Sequence, residues 1–158
     1  MNGMRILLVE DNEINQQVAG EILRGWGAIV DVAENGQVAL ECLAAHHPEH
    51  YAVVLMDLEM PVMDGREATQ KIRSLEQFER LPVIAMTAHV AGHGMADHMA
   101  KGVNGYIAKP FEPDELLAML LPAFGEWMGW PLLCGVLVLF GGFMTVIVGM
   151  LYKIVPFL

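Results

Sequence analysis

Cysteine is scarce in this chain of 158 residues. The two present, Cys42 and Cys134, lie in compositionally different regions, with neither metal-site spacing nor a paired framework. A disulfide-built fold and a cysteine-based zinc site are thereby excluded, and a reducing, cytoplasmic setting is expected. Positive charge is scarce too: 9 Lys and Arg stand against 19 Asp and Glu, for a formal net charge of −10. All the acidic residues and eight of the basic ones lie within residues 1–126, which carry −11; the remainder carries +1, from Lys153 alone. So acidic a body excludes non-specific nucleic-acid binding, which needs a basic face, and suits cations or basic partner surfaces. Between Glu126 and Lys153 there is no charge at all. The early apolar run Ile6–Val9 is cut short by Glu10-Asp11 and does not read as a signal peptide.

What the chain has in plenty is apolar surface: 54% of its residues are hydrophobic and the mean hydropathy is +0.42. Over residues 4–121 this material comes in short runs, Met4–Val9, Ala28–Ala33, Tyr51–Met56, Pro82–Met86 and Gly105–Ala108. Most of them, rich in Val and Ile, read as strands buried on both faces. Between them lie segments with helical spacing: Ile14, Val18, Ile22 and Trp26; Ala39, Cys42, Leu43 and His46; Ala68, Ile72 and Leu75. Asn12, Asn35 and Asp64 stand where N-caps belong, and Gly25 and Gly27 where the first helix should stop. Pro113 suits the first turn of a last helix, which Pro122 is expected to end after Leu121. Strand and helix alternating five times predict an α/β fold, a five-stranded doubly wound parallel sheet with right-handed crossovers.

After Pro122 the composition changes. Residues 1–122 form the expected domain, 123–130 a linker, 131–153 a transmembrane helix and 154–158 a short tail. Pro131 to Tyr152 holds no charge and is long enough, at ~1.5 Å per residue, to cross ~30 Å of hydrocarbon. Trp127 and Trp130 at one end, with Tyr152 and Lys153 at the other, match interfacial anchors. The bland alternative is a helix buried in a protein core.

Open parallel sheets gather their functional groups beyond the carboxyl ends of the strands. Here the first strand runs into Glu10-Asp11 and the third into Asp57. The fourth ends in Thr87 and the fifth in Lys109-Pro110. Any one alone would be weak, since an acid after a strand is usually a helix cap; their joint placement is much stronger. Clustered carboxylates repel one another, and a hard divalent cation with oxygen ligands relieves them; Mg²⁺ typically uses a couple of carboxylates, keeps waters and accepts a phosphate oxygen. An Asp carboxylate can form an acyl phosphate, and phosphoryl transfer needs chiefly in-line positioning and neutralised oxygens.

The stretches Leu7-Leu8-Val9-Glu10-Asp11-Asn12-Glu13-Ile14-Asn15, Met56-Asp57-Leu58-Glu59-Met60-Pro61-Val62-Met63-Asp64-Gly65, Thr87-Ala88 and Lys109-Pro110-Phe111 resemble the response-regulator receiver family, in flavour the receivers of hybrid histidine kinases. The likeness covers about residues 4–121 and implies a flavodoxin-like fold. It implies that Asp57 accepts phosphate from a phosphohistidine on a histidine kinase or a histidine phosphotransfer protein. Asp11 and Asp57 would ligate Mg²⁺ directly, Glu10 through water, and Glu59 by its backbone carbonyl. Lys109 and Thr87 would serve the phosphoryl oxygens. Thr87 and Tyr106 would couple phosphorylation to the surface of residues 88–106, and the Lys109–Pro110 bond would be cis.

Several residues have plainer readings. Tyr106 can be a packed aromatic, and Gly65 a turn residue under any hypothesis. His46, His47 and His50 cluster, and His89 and His93 stand one helical turn apart, yet neither group has cysteine or acidic partners at ligand spacing. His89, two residues after Thr87, is placed by the resemblance with Glu59 as a tuner of phosphate lifetime. Two other functions stay open: a Mg²⁺-dependent phosphatase working through an aspartyl phosphate, and an inert receiver-like binding module. A phosphatase wants a second Asp two residues after the nucleophile, where this chain has Glu59. The expected location is a membrane, the bacterial inner membrane, with the receiver facing the cytoplasm.

Overall fold

Short β-branched runs separated by capped amphipathic segments favour strands that pair side by side, each return made by a helix. A computed structural model describes residues 3–88 and 102–127. Strands β1 (Arg5–Val9), β2 (Ile29–Ala33), β3 (Val53–Asp57), β4 (Val83–Thr87) and β5 (Gly105–Ala108) form one parallel sheet in the order β2-β1-β3-β4-β5. Helices α1 (Glu13–Gly25), α2 (Gly36–Ala44) and α3 (Gly65–Ser74) follow the first three strands. A 3₁₀ turn (Glu76–Phe78) leads towards β4, and α4 (Pro113–Trp127) follows β5. From β1 the chain goes to β2 on one side, then crosses back to β3 on the other. That reversal opens a crevice beyond the carboxyl ends of β1 and β3.

Burial on both faces holds for β3 and β4 throughout and for β1 beyond Arg5. β2 and β5 are the sheet edges, and β2 leaves Ile29 and Val32 exposed. On one face Leu7, Val9, Val54 and Met56 pack with Ala39 and Leu43 of α2 and Ala68 and Ile72 of α3. Strand alternation sends Ile6, Leu8, Val53 and Leu55 the other way, and these are fully buried as well.

The three expected N-caps are all in place. Asn12 accepts the backbone N–H groups of Ile14 and Asn15, Asn35 those of Gln37 and Val38, and Asp64 that of Glu67. At the end of α1, Gly27 donates to the Arg24 carbonyl and Ala28 to that of Leu23, a Schellman closure with Gly27 at φ +86°.

Two expectations are corrected. The stripe Ile14, Val18, Ile22 and Trp26 is not the buried face of α1: Ala19, Gly20 and Leu23 are buried, whereas Ile14 and Val18 are 70% and 46% exposed. Small residues let this helix lie close to the sheet, and the larger apolar ones fall beside the contact. Nor does Pro122 end the last helix, which continues to Trp127. Proline removes one i→i−4 hydrogen bond, but a helix already anchored by buried Leu116 and Leu120 can pass it. Among the described residues no helix is long and apolar enough to cross a membrane. The expected span 131–153 and tail 154–158 lie outside them, as do residues 89–101 with His89 and His93.

Candidate functional site

Strand register brings the site together. Val9 pairs with Met56, so Glu10 emerges level with Asp57, while Asp57 pairs with Met86 and Thr87 with Ala108. Lys109 N–H then donates to the Thr87 carbonyl at 2.9 Å, which carries Lys109 onto the same rim. Glu10, Asp11 and Asp57 offer carboxylate oxygens all within 4.8 Å of one another. Glu10 and Asp57 are buried, at 1% and 4% exposure, and Asp11 is exposed.

Lys109 stands between the two buried acids, its Nζ 2.5 Å from Glu10 Oε2 and 2.5 Å from Asp57 Oδ2. Burial pulls the ammonium towards deprotonation, but the hydrogen bonds it donates to Asp57 and Glu10 outweigh it, and its pKa is raised. Asp57 Oδ1 accepts the Glu59 N–H at 3.0 Å, so each oxygen of this carboxylate has a donor. The Glu59 side chain itself is exposed. Thr87 is buried at the end of β4, and Tyr106 on β5 pairs with Ala85 and packs against Leu58 and Ala85. The Lys109–Pro110 bond is cis.

Gly65 is the first residue of α3 rather than a turn residue with positive φ. Its reason is proximity: a Cβ there would overlap the Asp57 carbonyl and the Met56 side chain. Among the described histidines, His46 and His50 behave as packing groups. The rings of His46 and His50 stack at 4.0 Å, both meet Tyr51 edge-on, and His46 Nδ1 donates to the Cys42 carbonyl. Burial and the neighbouring His46 hold His50 below its ordinary pKa.

Sequence reasoning passed over Asn15 and Gln16. Asn15 Nδ2 donates to Glu10 Oε1 at 2.9 Å, and Gln16 Nε2 to the Glu10 carbonyl at 2.7 Å. The available signal was amides on the first helical turn just after an acid-ended strand, a pattern too common in itself to single out.

One ammonium facing three carboxylates leaves formal negative charge over. The donor set, carboxylate oxygens with an exposed approach at Asp11, fits a divalent cation such as Mg²⁺. Set beside known proteins, the rim has close counterparts. The chain is 37% identical over 142 residues to Histidine kinase 2 of Arabidopsis thaliana, covering 77% of this chain and 12% of that protein. It is 38% identical to the crystallised receiver domain of the sensor histidine kinase PA1611 of Pseudomonas aeruginosa, a structure with magnesium in its active-site cleft. The TM-score is 0.69, covering 80% of this chain and 98% of that one. The receiver domain of the Saccharomyces cerevisiae response regulator Ssk1, crystallised with the phosphotransfer protein Ypd1, is 26% identical, with TM-score 0.69 over 79% of this chain and 92% of the other. The chain thus spans less than a fifth of the curated relative but nearly all of the solved receivers. The model of the response regulator receiver domain matches residues 6–121, and the chain belongs to that family.

Proposed function

We propose that Asp57 is the phosphoacceptor of this receiver, taking its phosphoryl group from the phosphohistidine of a histidine kinase or a histidine phosphotransfer protein. The observation that carries this is a buried carboxylate at the crevice of the sheet, with the Lys109 ammonium on one oxygen and the Glu59 N–H on the other. A carboxylate oxygen attacks phosphorus, the P–N bond breaks, and the imidazole nitrogen leaves with its electron pair, giving an acyl phosphate on Asp57. The Lys109 ammonium and the Thr87 hydroxyl are assigned to the phosphoryl oxygens. Mg²⁺ is the fitting cofactor: Asp11 and Asp57 would hold it directly, Glu10 through water and Glu59 by its carbonyl, and once bound it would offset charge on the phosphoryl oxygens. Thr87 and Tyr106 then report phosphorylation to the 88–106 surface, of which residues 89–101 lie outside the described structure.

The partner class is supported by the likeness to the Ssk1 receiver, which was crystallised with Ypd1. Glu59 favours the receiver over an aspartyl-phosphate phosphatase. At the position where such a phosphatase wants a second Asp, this chain has an exposed Glu whose backbone N–H donates to Asp57. Incubation with labelled acetyl phosphate and Mg²⁺ tests the assignment. The wild-type chain takes up label and Asp57→Asn takes up none; equal labelling of the two overturns it.

A second part of the proposal rests on the sequence alone: residues 131–153 anchor the chain in a membrane with the receiver facing the cytoplasm, where phosphohistidine donors are charged from ATP. Fractionation of the chain with and without residues 128–158 tests it. The full chain is expected with the membranes and the shortened one in the soluble fraction; a wholly soluble full chain overturns the anchor.

A further inference from the structure

Glu10 has one more rotatable bond than an aspartate would, so its neighbours decide where its two oxygens point. They point apart. Oε1 accepts Nδ2–H of Asn15 at 2.9 Å and, more distantly, the Asn12 N–H at 3.4 Å. Oε2 faces Lys109 Nζ at 2.5 Å. Gln16 Nε2–H holds the Glu10 carbonyl at 2.7 Å, pinning the backbone from which the side chain projects. All of these donors except Lys109 come from the cap and first turn of α1, so the helix start grips the acid that precedes it. Lys109 is left in the remaining gap, in contact with Glu10 and Asp57 at once.

Without the Asn15 amide, Oε1 would lose its short donor while still buried, and the carboxylate would turn to recover one. Besides the distant Asn12 N–H, the group within reach is the Lys109 ammonium, and a divalent cation bound at Asp11 and Asp57 would be another. Either choice moves the ammonium off the line between Glu10 and Asp57.

We propose that Asn15 is a positioning residue: its amide, with Gln16 on the backbone, commits Glu10 to Lys109. The ammonium is thereby set beside Asp57 before a phosphoryl group arrives, and direct ligation of the cation is left to Asp11 and Asp57. This rests on the phosphoacceptor reading for its consequence, though not for its geometry.

Asn15→Leu is the test, because it keeps the side-chain size, removes both amide donors and strengthens helix propensity. Asn15→Ala repeats it with a smaller group, and Gln17→Ala, exposed on the same helix, is the control. Two readouts are taken on the full chain. One is the rate of label uptake from acetyl phosphate at saturating Mg²⁺. The other is the Lys109 ε-methylene signal in carbon–proton spectra of lysine-labelled protein without Mg²⁺, assigned by its loss in Lys109→Arg. Loss of one hydrogen bond to a charged group slows uptake about tenfold, and the Lys109 signal moves towards those of exposed lysines. Gln17→Ala changes neither. A rate within twofold of wild type, or a slowed rate with the Lys109 signal unmoved, overturns the proposal. If the wild-type chain takes up no label, the phosphoacceptor reading fails, and the Lys109 signal still decides whether Asn15 positions the ammonium.

Discussion

Asp57 and Val62 stand five residues apart and show the two ways a residue can be constrained at a functional rim. Asp57 is held by donors, Lys109 on one oxygen and Glu59 N–H on the other. Val62 is held by the backbone on either side of it. Its neighbour Met63 is buried, donates its N–H to the Pro61 carbonyl at 2.8 Å and accepts the Gly36 N–H at 3.1 Å. Closing this three-residue turn puts Val62 at φ +70°, with its side chain 84% exposed. A β-branched residue has no comfort at positive φ, and the side chain gains nothing by burial. Val62→Gly is therefore expected to stabilise the receiver by about 1 kcal/mol, the relief of strain outweighing the extra freedom of glycine in the unfolded chain. Urea denaturation measures it, and a lower midpoint for the variant would show that the turn is not strained at Val62.

At the scale of the element, α1 carries the most information per residue. Its start caps itself through Asn12 and grips Glu10 through Asn15 and Gln16, and its end closes through Gly27. The two glycines there differ in kind. Gly27 sits at φ +86°, so Gly27→Ala should cost about 1–2 kcal/mol, the strain of placing an L side chain in the left-handed region. Gly25 is the last residue of the helix and a Cβ added to it meets nothing within 4 Å, so Gly25→Ala should gain about 0.5–1 kcal/mol. Thermal melts of the pair, shifting in opposite directions, check both. Capping was legible because it depends on residues two or three apart. Which face of α1 is buried was not, since Ile14 and Val18 make as good a stripe as Ala19 and Leu23 until the sheet is in place. The end of α4 went the same way: Pro122 is a stop signal locally, and anchoring elsewhere on the helix overrides it.

For the whole molecule, function lies where the topology reverses. The order β2-β1-β3-β4-β5 opens the sheet between β1 and β3, and of the two buried acids Glu10 directly follows β1 and Asp57 ends β3. The sequence by itself determined the strands, the parallel class of the sheet, the caps and the set Glu10, Asp11, Asp57, Thr87 and Lys109. Each of these follows from local periodicity or from a residue type at a strand end, information carried by near neighbours in the chain. Only the tertiary structure decided how those residues meet. That Lys109 reaches Asp57 across 52 positions of sequence, and Glu10 as well, depends on strand register, as does the emergence of Glu10 level with Asp57. That Gly65 must lack a side chain depends on the approach of α3 to the Asp57 carbonyl. The role of Asn15 belongs to the same class, because an amide on a helix becomes a positioning group only when folding points it at a buried carboxylate.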